Sequence, residues 1–222
     1  MNGLGLSATE VEDLEREMQK RGVQDPLTSA LVMGCNVPIR YAGMSVDTMN
    51  YGESVEYRAI LARIKQLGVE LAELHACLKR PVFLCLKGSF GTGKTRSAVW
   101  LLRQAYLGVK HMSQAPYFMT SAQLVDVRFE RRGSDEADDP INERRDRAFR
   151  SPFLVLDDVA RFSGFRGEQD FVERVVDERF NAGRSTVLTS NARDGDLPER
   201  FQDLLRGFEE LVFKGESHRG EV

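Results

Sequence analysis

Residues 88–95 read Gly88-Ser89-Phe90-Gly91-Thr92-Gly93-Lys94-Thr95 and satisfy the pattern G-x-x-x-x-G-K-[ST] at every defined position. The apolar run Val82-Phe83-Leu84-Cys85-Leu86 just before it reads as a buried strand, and Arg96 to Tyr106 supplies a helix after it. A strand, a glycine-rich turn and a helix in that order commit the chain to an α/β arrangement built around an anion. The glycines let backbone N–H groups crowd around phosphates, Lys94 neutralises β and γ oxygens, and the Thr95 hydroxyl is placed to ligate Mg²⁺. The positive end of the following helix faces the same anion. All eight residues are therefore candidate nucleotide ligands; a glycine turn without a ligand is the alternative reading of the pattern alone.

Strand and helix signals alternate through the rest of the chain. Pro116-Tyr117-Phe118-Met119-Thr120 reads as a second strand and Ser121 to Phe129 as its helix. Phe153-Leu154-Val155-Leu156 is a third strand, Gln169 to Asn181 an amphipathic helix, and Ser185-Thr186-Val187-Leu188-Thr189 a fourth strand. Such alternation predicts a mainly parallel sheet, whose ligands bind at the carboxyl ends of the strands. Arg132 to Arg150 is polar and charge-rich and is expected to be a mobile loop or frayed helix. Upstream, Ile60, Ile64, Leu67, Leu71, Leu74 and Leu78 step by fours and threes, predicting one long core-facing helix from Ser54 to Leu78. At the start, Ser7-Ala8-Thr9-Glu10 has the spacing of a capping box for a short helix running to Gly22. Asp25-Pro26 opens another, expected to reach Met33 and end at Gly34. Residues 1–35 thus form a short helical appendage, too small for its own core, and 36–222 the main domain.

Composition narrows the setting. Hydrophobic residues make up 41% and charged residues 29%, ordinary for a globular protein, and the formal charge of −3 offers no global attraction for nucleic acid. No apolar run approaches the roughly 18 residues that cross a membrane, and the first residues lack a basic-then-apolar signal, so a cytoplasmic protein is expected. Cys35, Cys77 and Cys85 are wrongly spaced for zinc and read as buried reduced thiols.

Asp157-Asp158 directly follows the third strand and delivers two carboxylates to the edge where the phosphate loop lies. Asp157 would hold Mg²⁺ through water, while Asp158 accepts a proton from the attacking water or orients it. The fourth strand ends in Thr189-Ser190-Asn191, where the Asn191 amide either reaches the γ-phosphate or lytic water or serves as a turn residue. Arg219, in Gly215-Glu216-Ser217-His218-Arg219, is a further cationic candidate.

With these residues in order, the chain from about Asn36 to Arg219 resembles the DnaC/DnaI/IstB group of AAA+ ATPases, the replicative helicase loaders and related transposition helpers. The resemblance is carried by Val37-Pro38-Ile39-Arg40-Tyr41, the phosphate loop, Leu154-Val155-Leu156-Asp157-Asp158, Asp177-Glu178-Arg179-Phe180, Thr186-Val187-Leu188-Thr189-Ser190-Asn191 and the Gly215–Arg219 segment. It implies the AAA+ (ASCE) P-loop NTPase fold, a three-layer core with a minimal or absent C-terminal lid. It makes Asn191 the sensor-1 residue and Arg219 the sensor-2 arginine, and sets Tyr41 beside the base, with adenine expected. Mg·ATP hydrolysis, single-stranded DNA, a DnaB-type helicase partner and a nucleotide-dependent homo-oligomer follow as expectations.

The likeness has limits. Loaders of this type usually carry a larger N-terminal helicase-binding domain than residues 1–35 provide. The place of the arginine finger falls on Asp203, with Arg206 and Arg200 about one turn to either side. For DNA, Arg128, Phe129, Arg131 and Arg132 combine cations with an aromatic, yet Arg128 to Arg150 holds seven arginines and seven acidic residues, which equally describes a solvated surface. The expected function is an ATP-hydrolysing replication accessory of the helicase-loader type. An IstB-like transposition helper and a non-hydrolysing ATP-dependent interaction module are the alternatives, and a small-molecule kinase lacks an acceptor pocket and lid.

Overall fold

The structure, a computed structural model, describes residues 8–20, 22, 25–49, 54–73, 76–109, 115–129, 140–159, 166–192 and 196–214. In chain order the elements are α1 (Ala8–Lys20), α2 (Pro26–Cys35), α3 (Ile39–Ala42), α4 (Val55–Ala72), α5 (Ala76–Lys79), β1 (Phe83–Gly88) and α6 (Lys94–Val109). Then come β2 (Tyr117–Thr120), α7 (Ser121–Phe129), α8 (Pro140–Arg150), β3 (Phe153–Asp157), α9 (Arg166–Asn181), β4 (Ser185–Ser190), α10 (Glu199–Leu205) and β5 (Glu209–Phe213). The strands form one sheet in the order β2-β3-β4-β1-β5, and every pairing is parallel.

Side-chain alternation sorts the core into two layers. Leu84 and Leu86 of β1, Phe153 and Val155 of β3 and Val187 of β4 face the helices α2, α4 and α6, through Leu31, Ile64, Leu67, Leu101 and Leu102. Cys85, Leu154, Leu156 and Leu188 face the other way, toward Leu124 of α7, Val172 and Val175 of α9, and Phe201 of α10. Both faces of the central strands are covered, so β1 and β3 read as apolar runs, while β4, equally buried, keeps only Val187 and Leu188 apolar among serines and threonines. Each such buried Leu or Val contributes about 1.5–3 kcal/mol relative to exposure. Leu31, Val32 and Cys35 of α2 belong to the first of these layers.

The helices depart from the sequence reading at identifiable places. The helix expected from Ser54 to Leu78 breaks after Ala72, and α5 begins anew at Ala76. Gly108 of α6 presses beneath the break: a Cβ there would lie 2.3 Å from the Leu71 carbonyl oxygen and 2.6 Å from that of Glu73. Gly34 does not end α2. The helix continues through Cys35 and stops at Asn36, whose left-handed backbone (φ 57°) caps it. The Asn36 amide donates to the Phe118 carbonyl of β2 (2.9 Å), anchoring that end. Asp25 does open α2, accepting the N–H groups of Leu27 and Thr28. Ser7 of the expected capping box lies outside the described residues.

The charge-rich segment is ordered from Pro140 to Arg150 as α8, with proline in the first turn as its fixed φ favours. Arg147 of α8 donates to the Gly34 carbonyl (2.6 Å) and lies over the Tyr117 ring at 4.3 Å. Arg179, fully buried, is a second anchor that sequence reasoning did not foresee. Its guanidinium donates to the carbonyls of Ala148 (2.9 Å), Phe149 (3.2 Å) and Ser185 (2.7 Å) and to the hydroxyls of Thr186 (3.0 Å) and Ser151 (3.4 Å). It thereby caps the C-terminal carbonyls of α8 and ties them to β4. A fifth strand, Glu209–Phe213, closes the sheet beyond β1; its exposed Glu209 and Glu210 suit an edge strand and obscure it in the sequence. Among the described residues no helix is long and apolar enough to cross a membrane.

Candidate functional site

Five parallel strands bring Gly88, Thr120, Asp157, Ser190 and Phe213 to one edge of the sheet. The phosphate-loop glycines adopt positive φ, 144° at Gly88, 78° at Gly91 and 91° at Gly93. Gly88 is further constrained by β5, since a Cβ on it would stand 2.3 Å from the Phe213 carbonyl oxygen. Lys94 opens α6 and is only 5% exposed, with its ammonium donating to the carbonyls of Gly88 (2.8 Å) and Ser89 (2.6 Å). The Thr92 hydroxyl donates to the Ser89 carbonyl (2.9 Å), and the Tyr57 hydroxyl of α4 donates to the Thr92 carbonyl (3.3 Å). The loop is thus wound around the lysine, with Phe90 exposed at its tip.

Opposite the loop, a chain of hydrogen bonds joins β3 to β4 and α6. Asp157 Oδ1 accepts the Thr95 hydroxyl (2.8 Å) and the Thr189 hydroxyl (2.6 Å). The Thr189 oxygen in turn accepts the backbone N–H of Asp158 (3.0 Å). Asp158 has a left-handed backbone, φ 62°, a conformation that costs a β-carbon-bearing residue about 1–3 kcal/mol. It is held there by Thr189 on its N–H, by the Ser121 hydroxyl on its carbonyl (2.7 Å) and by the Asn191 amide on its Oδ1 (2.8 Å). Burial raises the Asp157 carboxyl above its ordinary range; the two hydroxyl donors oppose this, the Asp158 charge adds to it and Lys94 relieves it.

This donor set suits Mg²⁺ and a triphosphate. The Thr95 and Asp157 oxygens stand 2.8 Å apart. That is an ordinary hydrogen-bond length, and it leaves Thr95 placed to ligate Mg²⁺ with Asp157 behind it, where it would hold the ion through water. Among the described residues no group of three or more His, Cys, Asp or Glu side chains forms a metal cage. Mg²⁺ in phosphate sites takes one or two protein oxygens and completes its shell with phosphate and water. Lys94 already engages carbonyl oxygens, acceptors that phosphate oxygens replace without leaving a cation bare.

The other sequence-derived residues divide. Tyr41 in α3 is half-buried, with the Arg40 guanidinium over its ring at 4.7 Å, and α3 packs against α6. Arg96, one residue past Thr95, donates to the Ser45 carbonyl at 3.0 and 2.6 Å and to the Thr48 hydroxyl, fastening the segment after α3 to the start of α6. Arg206 is not at this edge. It caps the far end of α10, exposed and paired with Asp203 (3.1 Å), just before β5 starts at the sheet's opposite edge. Arg200 is exposed in the first turn of α10. Arg128 and Phe129 close α7, while Arg131, Arg132 and Arg219 lie outside the described residues. Thr189, Ser121 and Tyr57 complete the hydrogen-bonding pattern and were assigned no role from sequence; a threonine directly after the apolar pair Val187-Leu188 was the available signal.

No family model and no curated protein matches the chain. Solved structures do. The DnaC helicase loader superposes with a TM-score of 0.60 at 23% identity, over 79% of this chain and 99% of that one. DnaI gives 0.61 at 18%, over 81% and 96%. The chain has the AAA+ P-loop NTPase fold. The replication initiator DnaA bound to AMPPCP and single-stranded DNA gives 0.55 at 20%, over 80% of this chain and 50% of that one. The likeness therefore spans nearly all of the first two structures and half of the DnaA chain.

Proposed function

We propose that this AAA+ chain is a Mg²⁺-dependent ATPase whose nucleotide state regulates a replicative, DnaB-type helicase on single-stranded DNA. The observation that carries the ATPase reading is the 2.8 Å contact between the Thr95 hydroxyl and Asp157, with Asp158 and Asn191 beside it. In this reading the backbone from Gly88 to Thr95 cradles the triphosphate, Lys94 exchanges its loop carbonyls for β and γ oxygens, and Tyr41 lies beside adenine. Thr95 would ligate Mg²⁺ and Asp157 would hold it through water, and the ion would supply neutralising charge to those same oxygens.

Asp158 orients the attacking water and takes its proton as the water oxygen bonds to the γ-phosphorus. The bond from that phosphorus to the bridging oxygen breaks, and its electron pair leaves with ADP. Asn191 donates a hydrogen bond to the γ-phosphate or the water. Arg219 of the same chain, and Arg206 or Arg200 of a neighbouring copy, stabilise the transferred charge. The loader role draws support from the likeness to DnaC and DnaI, and the DNA contact from the DnaA complex together with Arg128, Phe129, Arg131 and Arg132.

Asp158→Asn tests the reading. Mg·ATP affinity is expected to stay within about threefold of wild type while hydrolysis falls by about 10²–10⁴-fold. The ATP-trapped variant should then capture a DnaB-type helicase and prefer single-stranded over duplex DNA. Undiminished hydrolysis removes Asp158 from the chemistry, and a duplex preference without helicase capture favours a transposition helper.

A further inference from the structure

Thr189 is the penultimate residue of β4, at the same sheet edge as Asp157, and is 2% exposed. A hydroxyl has one proton to give and two lone pairs. Here the proton goes to Asp157 Oδ1 (2.6 Å) and a lone pair takes the N–H of Asp158 (3.0 Å). The Thr189 carbonyl also accepts the N–H of Val159 (2.9 Å), so β4 grips the turn after β3 on both sides of Asp158. Both hydroxyl bonds hang on one χ1 torsion, which β-branching makes stiff. Asp158 meanwhile keeps a left-handed backbone that persists only where surrounding contacts hold it.

We infer that Thr189 is a positioning residue that couples the metal-holding carboxylate, Asp157, to the water-orienting carboxylate, Asp158. The inference rests on the Mg·ATP reading above. If Asp157 shifts when a cation is held, the hydroxyl bonded to it would pass that displacement to the Asp158 N–H and so adjust the second carboxylate. A merely structural hydroxyl, there to satisfy a buried N–H, would affect folding and all nucleotide binding alike. The coupling role affects only what depends on Mg²⁺.

The test compares wild type, Thr189→Val and Thr189→Ser by calorimetric titration with ATP, once in Mg²⁺ and once in EDTA, alongside phosphate release. Thr189→Val is expected to lower Mg·ATP affinity about 10-fold. Its affinity for ATP in EDTA should remain within about twofold of wild type, and kcat at saturating Mg·ATP should fall at least about 10-fold. Thr189→Ser, which keeps the hydroxyl, should restore both. If the valine variant does not fold, Thr189→Ala is read by the same two titrations after its melting curve is recorded. Wild-type Mg²⁺ dependence in the valine or alanine variant overturns the coupling, as does an equal loss in Mg²⁺ and EDTA. Wild type that takes up no ATP in either buffer overturns the ATPase reading itself, and the coupling with it.

Discussion

The Asn191 side-chain amide donates to Asp158 Oδ1 at 2.8 Å, so the amide following β4 and the carboxylate following β3 meet across the strand ends. In the proposed mechanism that amide would share the carboxylate with the attacking water and so act when charge develops, more than when nucleotide binds. Asn191→Ala is therefore expected to lower turnover by about 100-fold while leaving Mg·ATP affinity within about threefold. Phosphate release set beside calorimetry checks this. A large loss of affinity with turnover intact would make Asn191 a binding group instead.

In the proposed reading Asp157 gives up stability so that it can hold the metal. Burial raises its carboxyl, so the folded state holds that proton more tightly than the unfolded chain does. The resulting cost is absent below the ordinary carboxylate range, grows as pH rises toward the folded-state value and is complete above it. Asp157→Asn removes the charge but keeps an oxygen for the Thr95 and Thr189 hydroxyls. In nucleotide-free protein it should raise the melting temperature at pH 7 to 8, with the gain vanishing near pH 3. The same substitution should abolish the preference for Mg·ATP over ATP in EDTA.

Gly88 is fixed by its neighbour as well as by its φ. An alanine methyl there would have to displace the Phe213 carbonyl of β5, 2.3 Å away, and adopt a backbone that side-chain-bearing residues avoid. Gly88→Ala should cost about 2–4 kcal/mol, read by denaturant unfolding, and weaken Mg·ATP binding through the displaced loop. Gly183→Ala, where φ is 62° and no heavy atom stands within 4 Å of the new carbon, serves as the control and should cost only about 1 kcal/mol.

Arg179 is a test of packing remote from the chemistry. Burial works against its charge, and three carbonyls and two hydroxyls compensate. Arg179→Leu leaves those acceptors without their donor and should cost about 3 kcal/mol or more, lowering the melting temperature by about 6–12 °C. Turnover per folded molecule should change little at a temperature well below the transition.

The placement of the glycine-rich loop between β1 and α6, and of both acidic residues at the end of β3, was legible because each depends on a short local pattern beside an apolar strand. Two of the helix boundaries that shifted depend on tertiary contact: Gly108 of α6 under the α4 break, and Asn36 bonded to Phe118 of β2. The strand Glu209–Phe213 hides because an edge position tolerates the two glutamates that begin it. Arg179 belongs to the Asp177–Phe180 motif, yet nothing along the chain reveals that its five acceptors come from α8, β4 and the residues beside them. Thr189 illustrates the same limit at the site, since its two bonds cross between neighbouring strand ends.

The most direct measurement is isothermal titration of the purified wild-type protein with ATP in Mg²⁺, repeated with Lys94→Ala. Saturable one-to-one uptake by wild type, and affinity reduced at least about 10-fold in the variant, is the expected result. No heat of binding from wild type with adenine or guanine triphosphates, or equal affinity in the two proteins, would contradict a triphosphate seated between Lys94 and the Thr95–Asp157 pair.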